Sequence, residues 1–189
     1  MKKLLGILVL GLLLTLSAKA DDIRDLEIEG MSVGDSLLDY TSKQDIIDTS
    51  DAPYNSKKFS MYSNLFKEGS NYEGYLVHYK TDDSKFIIEA LQGMILFENN
   101  FSECLKMKKI IVNELDQTFN NIKKDSWEQN HAADKSGKSI SDNTEFSLKS
   151  GYIRIICNDW SDDMKYIDKL AVSIVSKEFQ DWINNEAYD

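Results

Sequence analysis

Residues 141–160, SDNTEFSLKSGYIRIICNDW, read as two strands joined by a tight turn at Ser150-Gly151. So short a link forbids a crossover, so the pair is antiparallel. Ile153, Ile155 and Cys157 share one face of the second strand. That face needs an apolar cover, and the residues before it supply one.

Upstream, residues 100–124 (NFSECLKMKKIIVNELDQTFNNIKK) carry Phe101, Cys104, Leu105, Ile111, Val112, Leu115, Phe119 and Ile122 at helical spacing. Asn100 caps this helix, with Glu103 at the third helical position. One long helix is therefore expected to cover a sheet. Three strand candidates precede it, at residues 58–66, 72–80 and 85–98; Gly93 in the last marks a bulge or bend. Residues 125–139 read as a polar loop. Downstream, residues 169–179 alternate through Leu170, Val172 and Ile174. A closing helical turn tucks Phe179 and Trp182 inward. Near the start, Leu26 and Ile28 alternate with acids in a short strand. Residues 32–47 then read as a helix capped by Ser32, with Asp35 completing a capping-box-like pair. The chain around Pro53 is a loop.

The expected fold is α+β, mainly antiparallel, in the order β-α-βββ-α-βββ. The helix-plus-three-strands unit occurs twice, which suggests two halves, though no residue-level repeat accompanies them. The expected organisation is a signal peptide at residues 1–20 and one domain at 21–189. Lys2 and Lys3, the apolar run 4–16 and the small-x-small site Ala18-Lys19-Ala20 predict cleavage between Ala20 and Asp21. The run is shorter than the ~20 residues a membrane span needs. No second span follows, and no cysteine stands at the cleavage site for lipid attachment. A periplasmic or secreted location is expected.

The chain has 22 basic and 32 acidic residues, a formal charge of -10. Loss of the leader would take Lys2, Lys3 and Lys19 and bring it to -13. Such an acidic protein repels duplex phosphate and anionic headgroups. Nucleic acid is thus not an expected partner; an envelope protein or a small ligand is. Cys104 and Cys157, the only cysteines, both point at the expected core. In an oxidising compartment they should form a disulfide.

Residues 34–37 spell GDSL and resemble the nucleophile motif of the GDSL/SGNH hydrolases. The resemblance implies Ser36 as nucleophile, with Asn158 and Asp159 as an echo of a later block. A serine needs a general base. The family supplies it as a histidine near the C-terminus. Here His78 and His131 both precede Asn158, and no histidine follows Asp159. No complete catalytic constellation is expected, and Ser36 reads as a residue of a capped helical turn. Residues 132–139, AADKSGKS, match a relaxed phosphate loop but lack the preceding buried strand. Asp159, Asp162 and Asp163 lack calcium-loop spacing. Two separated histidines make no zinc site, so neither metal nor cofactor is expected. Trp127, Trp160 and Trp182 are expected to pack in the core or at its rim. Trp160 and Tyr152, if exposed together, would form a stacking surface.

The phrases at residues 22–40 (DIRDLEIEGMSVGDSLLDY), 134–139, 157–160 and 172–183 resemble a family of small exported proteins of free-living marine bacteria. That resemblance implies export but no activity, ligand or site. Residues 30–40 are also faintly similar to the first helix of outer-membrane assembly lipoproteins and β-lactamase-inhibitor-like domains, which use helix-plus-sheet units.

Overall fold

The computed structural model describes residues 22–66, 68–98, 100–119 and 122–189. The expected signal peptide and its cleavage site lie outside these residues. Among the described residues no helix is long and apolar enough to cross a membrane.

The described chain runs β1 (Glu27–Ile28), β2 (Met31–Ser32), α1 (Lys43–Thr49), β3 (Phe59–Leu65), β4 (Gly74–Lys80), β5 (Ile88–Leu96) and α2 (Phe101–Thr118). It continues with β6 (Lys123–Asn130), β7 (Ile140–Ser147), β8 (Gly151–Asp159), β9 (Lys169–Ser176) and α3 (Lys177–Asn185). Seven strands form one antiparallel sheet in the order β3-β4-β5-β9-β8-β7-β6. A three-strand meander, β3-β4-β5, and a four-strand one, β6-β7-β8-β9, thus meet at the β5–β9 pair, so the order is ββ-α-βββ-α-ββββ-α and not two equal helix-plus-three-strand halves.

The α+β, antiparallel expectation holds, and three details are corrected. First, no single long helix covers the sheet. α2 stops at Thr118 and packs on β8 and β9, α1 packs at β3, and α3 lies on the opposite face. Second, residues 123–130 form edge strand β6 and not a helix end plus loop. Its Lys123, Lys124, Asp125 and Glu128 are exposed, so apolar periodicity carries no signal there. Charged residues also protect a sheet edge from stray pairing. Third, residues 32–47 are not one helix. Gly34 takes φ +100°, and Ser36 and Ser42 are extended. Ser36 instead caps a short 3-10 turn, Leu37–Asp39, and Ser42 caps α1 through its Oγ and the Asp45 N–H at 3.1 Å. The Asp35 half of the expected box does form: Asp35 Oδ2 accepts from the Ser32 N–H at 2.9 Å.

The main core lies between the sheet and α1 and α2. Leu91, Ile153, Ile155, Leu170, Val172 and Ile174 meet Cys104, Ile111 and Leu115 there. Cys104 and Cys157 are disulfide-bonded, with Cα atoms 5.9 Å apart. Lys108 interrupts the apolar stripe of α2. It is buried and reaches Asp142 on β7, which compensates its charge. Burial lowers the Lys108 pKa, and Asp142 opposes that shift.

Gly93 marks close approach and not a bulge. The strand register is regular there, and a Cβ would lie 2.7 Å from Tyr72 Cδ1 and 2.9 Å from Ile28 Cγ2. The irregularity in this pairing falls at His78/Tyr79.

Candidate functional site

Antiparallel register places side chains in straight rows across the face opposite α2. One row is Leu65, Gly74, Met94, Ala171, Ile156, Asn143 and Trp127, one residue from each strand. The next is Ser63, Leu76, Gln92, Ser173, Arg154, Glu145 and Asp125. In the third, His78, Ala90, Val175 and Tyr152 lie under or beside α3. There Phe179 and Trp182 close a second, smaller core with Phe59. Among the described residues no helix lies over the first two rows. They span six inter-strand spacings, about 29 Å.

Row one is apolar apart from Asn143. Leu65 is 77% exposed, while Met94, Ile156 and Trp127 are half-buried. Row two centres on Arg154. Its Nε and Nη2 donate to Glu145 Oε2 at 2.9 and 2.5 Å. Its guanidinium carbon lies 4.6 Å from the Tyr152 ring centroid and 5.4 Å from that of Trp127. Two aromatic faces and a carboxylate therefore hold it in one orientation. Beside it Gln92 Nε2 donates to Ser173 Oγ at 2.8 Å. Leu76, Gln92, Arg154, Ile156 and Ser173 line a groove of about 150 Å³ that ends at His78 and Phe179.

His78 is buried against Phe179, and its Nε2 is hydrogen-bonded to Tyr54 Oη at 2.8 Å. Burial pushes its pKa down to about 4, so it is neutral at physiological pH. His131 stands at the far end of the sheet, its ring centroid 4.1 Å from that of Trp160, which meets Tyr166 at 4.8 Å. Trp160 and Tyr152 form no common surface. Tyr152 starts β8 and is buried by α3, whereas Trp160 follows the other end of that strand. Of the three tryptophans, Trp182 is fully buried and Trp127 and Trp160 are half-buried.

Ser36 Oγ donates to the Lys85 carbonyl at 2.6 Å and accepts from the Leu38 N–H at 3.3 Å. Gly34 and Leu37 donate backbone N–H bonds to Ile88 and Phe86 carbonyls. The GDSL segment thus fastens the N-terminal region to the start of β5. The described hydrogen bonds of both histidines go elsewhere, to Tyr54 and to the Ala133 N–H. Asn158 bonds Ser141, and Asp159 ends β8.

The phosphate-loop-like segment is the β6–β7 connection, and an internal carboxylate occupies the place an anion would take. Asp134 accepts from the Ser136 N–H, the Ser139 N–H and the hydroxyls of Ser139 and Ser161 at 2.6–3.0 Å. Those bonds hold its carboxyl well below the usual carboxylate range. Asp163 pairs with Lys138 at 3.0 Å. Among the described residues no three His, Cys, Asp or Glu side chains converge as metal ligands.

A second cavity, about 220 Å³, lies between Arg24, Val33, Glu89, Ser150 and Ser176. Its polar groups are already partnered: Arg24 pairs with Asp22 outside the lining, Ser150 Oγ accepts from the Ile23 N–H at 3.1 Å, and Glu89 accepts from Ser176 Oγ at 2.7 Å.

Sequence reasoning placed Trp127 at the core or its rim, where it lies, but missed Glu145, Arg154, Gln92 and Ser173. The alternation of β8 was the available signal, because Arg154 falls opposite Ile153 and Ile155. Comparison with known protein families, characterised proteins and solved structures found no match.

Proposed function

We propose that this is a non-catalytic exported protein that docks a partner protein of the cell envelope on the uncovered face of its sheet. The apolar side chains of row one that reach the surface, Leu65, Met94, Ile156 and Trp127, carry the reading; Gly74, Ala171 and Asn143 between them are buried. Large exposed apolar patches mark interaction sites, and Trp, Met and Arg are the residues enriched at protein interfaces. The groove encloses about 150 Å³, below the 300–1,000 Å³ of typical small-molecule sites, so a broad partner suits the face better. The apolar leader and the single disulfide support export.

Charge narrows the partner. On the uncovered face Lys123 pairs with Asp125 and Arg154 with Glu145, which leaves Lys169 as the cation in excess, in a chain whose net charge is -10. The partner presents an apolar surface with an acidic side chain opposite Lys169.

Photo-crosslinking in the native cell tests this. A benzophenone side chain at Ile156 should give one protein adduct, and the same probe at exposed Lys106 on α2 should not. The adduct should disappear with Lys169→Glu, and its crosslinked peptide should be apolar with an acidic residue. An adduct of twice the chain's mass would mean self-association instead. No adduct at Ile156, or one indifferent to Lys169→Glu, would sink the reading.

A further inference from the structure

We infer that the groove beside Arg154 binds a carboxylate carried on a short apolar stem. The inference rests on reading the open face as the binding surface, and it names the chemistry of that surface's centre.

The first observation is the composition of the lining. The protein has 32 acidic residues, yet among the described residues none lines this groove, and Arg154 is its one charged residue. The acid that holds Arg154, Glu145, reaches it from outside that lining.

The second is the state of the guanidinium. Arginine has five N–H donors in a planar fork. Glu145 takes two of them through a single oxygen, Oε2. Among the described residues the other three meet no protein acceptor. The flanking Tyr152 and Trp127 rings fix the plane of the fork, so little side-chain entropy is lost when a ligand binds. A fixed planar fork suits a carboxylate, whose two oxygens accept parallel N–H bonds. Glu145 cancels most of the net charge. Recognition therefore comes from directed hydrogen bonds more than from long-range attraction.

The third is what surrounds the fork. Leu76, Ile156 and Val175 give the groove apolar walls, and the Gln92–Ser173 pair gives it a second polar point. Its 150 Å³ equals about five waters, enough for a carboxylate on a short alkyl chain. The carboxylate has two possible sources: a free short-chain acid, or an acidic side chain or C-terminus of the docked partner.

The test is NMR titration of the isotope-labelled mature protein with hexanoate and with hexanamide, its neutral isostere. Hexanoate should shift the Arg154 Nε–H and Gln92 side-chain signals saturably, with millimolar affinity, and hexanamide should bind at least tenfold more weakly. Arg154→Gln should abolish the hexanoate response. Arg154→Lys keeps a cation beside Glu145 and so guards against misfolding; it should weaken binding at least tenfold, because an ammonium lacks the fork. A five-residue peptide ending in leucine, compared with its C-terminal amide, forms the second arm. Response to the peptide acid alone assigns the site to the partner; response to hexanoate assigns it to a free acid. Equal response to acid and amide, or no saturable shift from either acid, overturns the inference. Saturable hexanoate binding without an adduct at Ile156 would keep the groove and remove the docking partner.

Discussion

Asp134 Oδ2 accepts a hydrogen bond from Ser161 Oγ at 2.9 Å and so ties the β6–β7 loop to the β8–β9 loop. The same carboxylate holds Ser136 and Ser139, and Trp160 sits one residue before Ser161. Because these bonds depress the Asp134 pKa, the unfolded chain binds its proton at higher pH than the folded one does. Its contribution to stability is complete above the ordinary carboxylate pKa, about 3.9, and is lost as pH falls below that value. Asp134→Asn should lower the thermal midpoint at pH 7. The gap to the parent should stay constant above about pH 5 and narrow below about pH 4. Thermal melts between pH 3 and 7 measure it; a gap that widens on acidification would contradict the assignment.

His78 makes a second acid-sensitive point by the opposite chemistry. Burial lowers its pKa to about 4, so between about 6.5 and 4 the unfolded chain takes up a proton that the folded one refuses. Stability due to the neutral imidazole is complete above about 6.5 and falls as pH drops to about 4. The full span is about 3 kcal/mol. His78→Gln should flatten the parent's pH dependence in that window, read from urea midpoints.

The Cys104–Cys157 disulfide joins residues 53 apart in the chain. Closing such a loop stabilises by about 4 kcal/mol in the chain-entropy model. Replacing both cysteines by alanine should therefore lower the thermal midpoint by about 10 °C. Non-reducing melts of parent and variant decide it.

Trp182 anchors α3. It is fully buried, lies 4.7 Å from the Phe59 ring centroid and donates through Nε1 to Ser56 Oγ at 3.0 Å. Trp182→Ala should cost about 3–5 kcal/mol in urea unfolding. It should also loosen the wall of the Arg154 groove, because Phe179 packs against Trp182.

Ser36→Ala removes the cap of a 3-10 turn and a bond to Lys85. The expected loss is about 1 kcal/mol of stability. No change in hydrolysis of a chromogenic ester is expected, since Ser36 Oγ donates to a backbone carbonyl and not to a base. Ester turnover lost in this variant would show the GDSL segment to be catalytic.

Strands with one apolar face announced themselves, and so did the helix stripe through Cys104, Ile111 and Leu115, because burial imposes period 2 or 3.6 on the chain. Edge strand β6 left no such trace, since every residue on it but the half-buried Trp127 is exposed. The segment 32–47 misled, because good capping residues stand at three successive places and only backbone geometry chose Ser36 and Ser42. Lys108 on an apolar stripe reads as solvated until Asp142 is brought across from β7.

The sequence by itself determined the antiparallel α+β class, the acidic balance and the two cysteines on one core face, since these follow from local periodicity and composition. Only the tertiary structure decided the site. Trp127, Glu145, Tyr152 and Arg154 come from three strands that pair side by side, and the groove adds Leu76, Gln92 and Ser173 from three more. Their proximity is set by strand order and register, which long-range pairing fixes and no local pattern encodes.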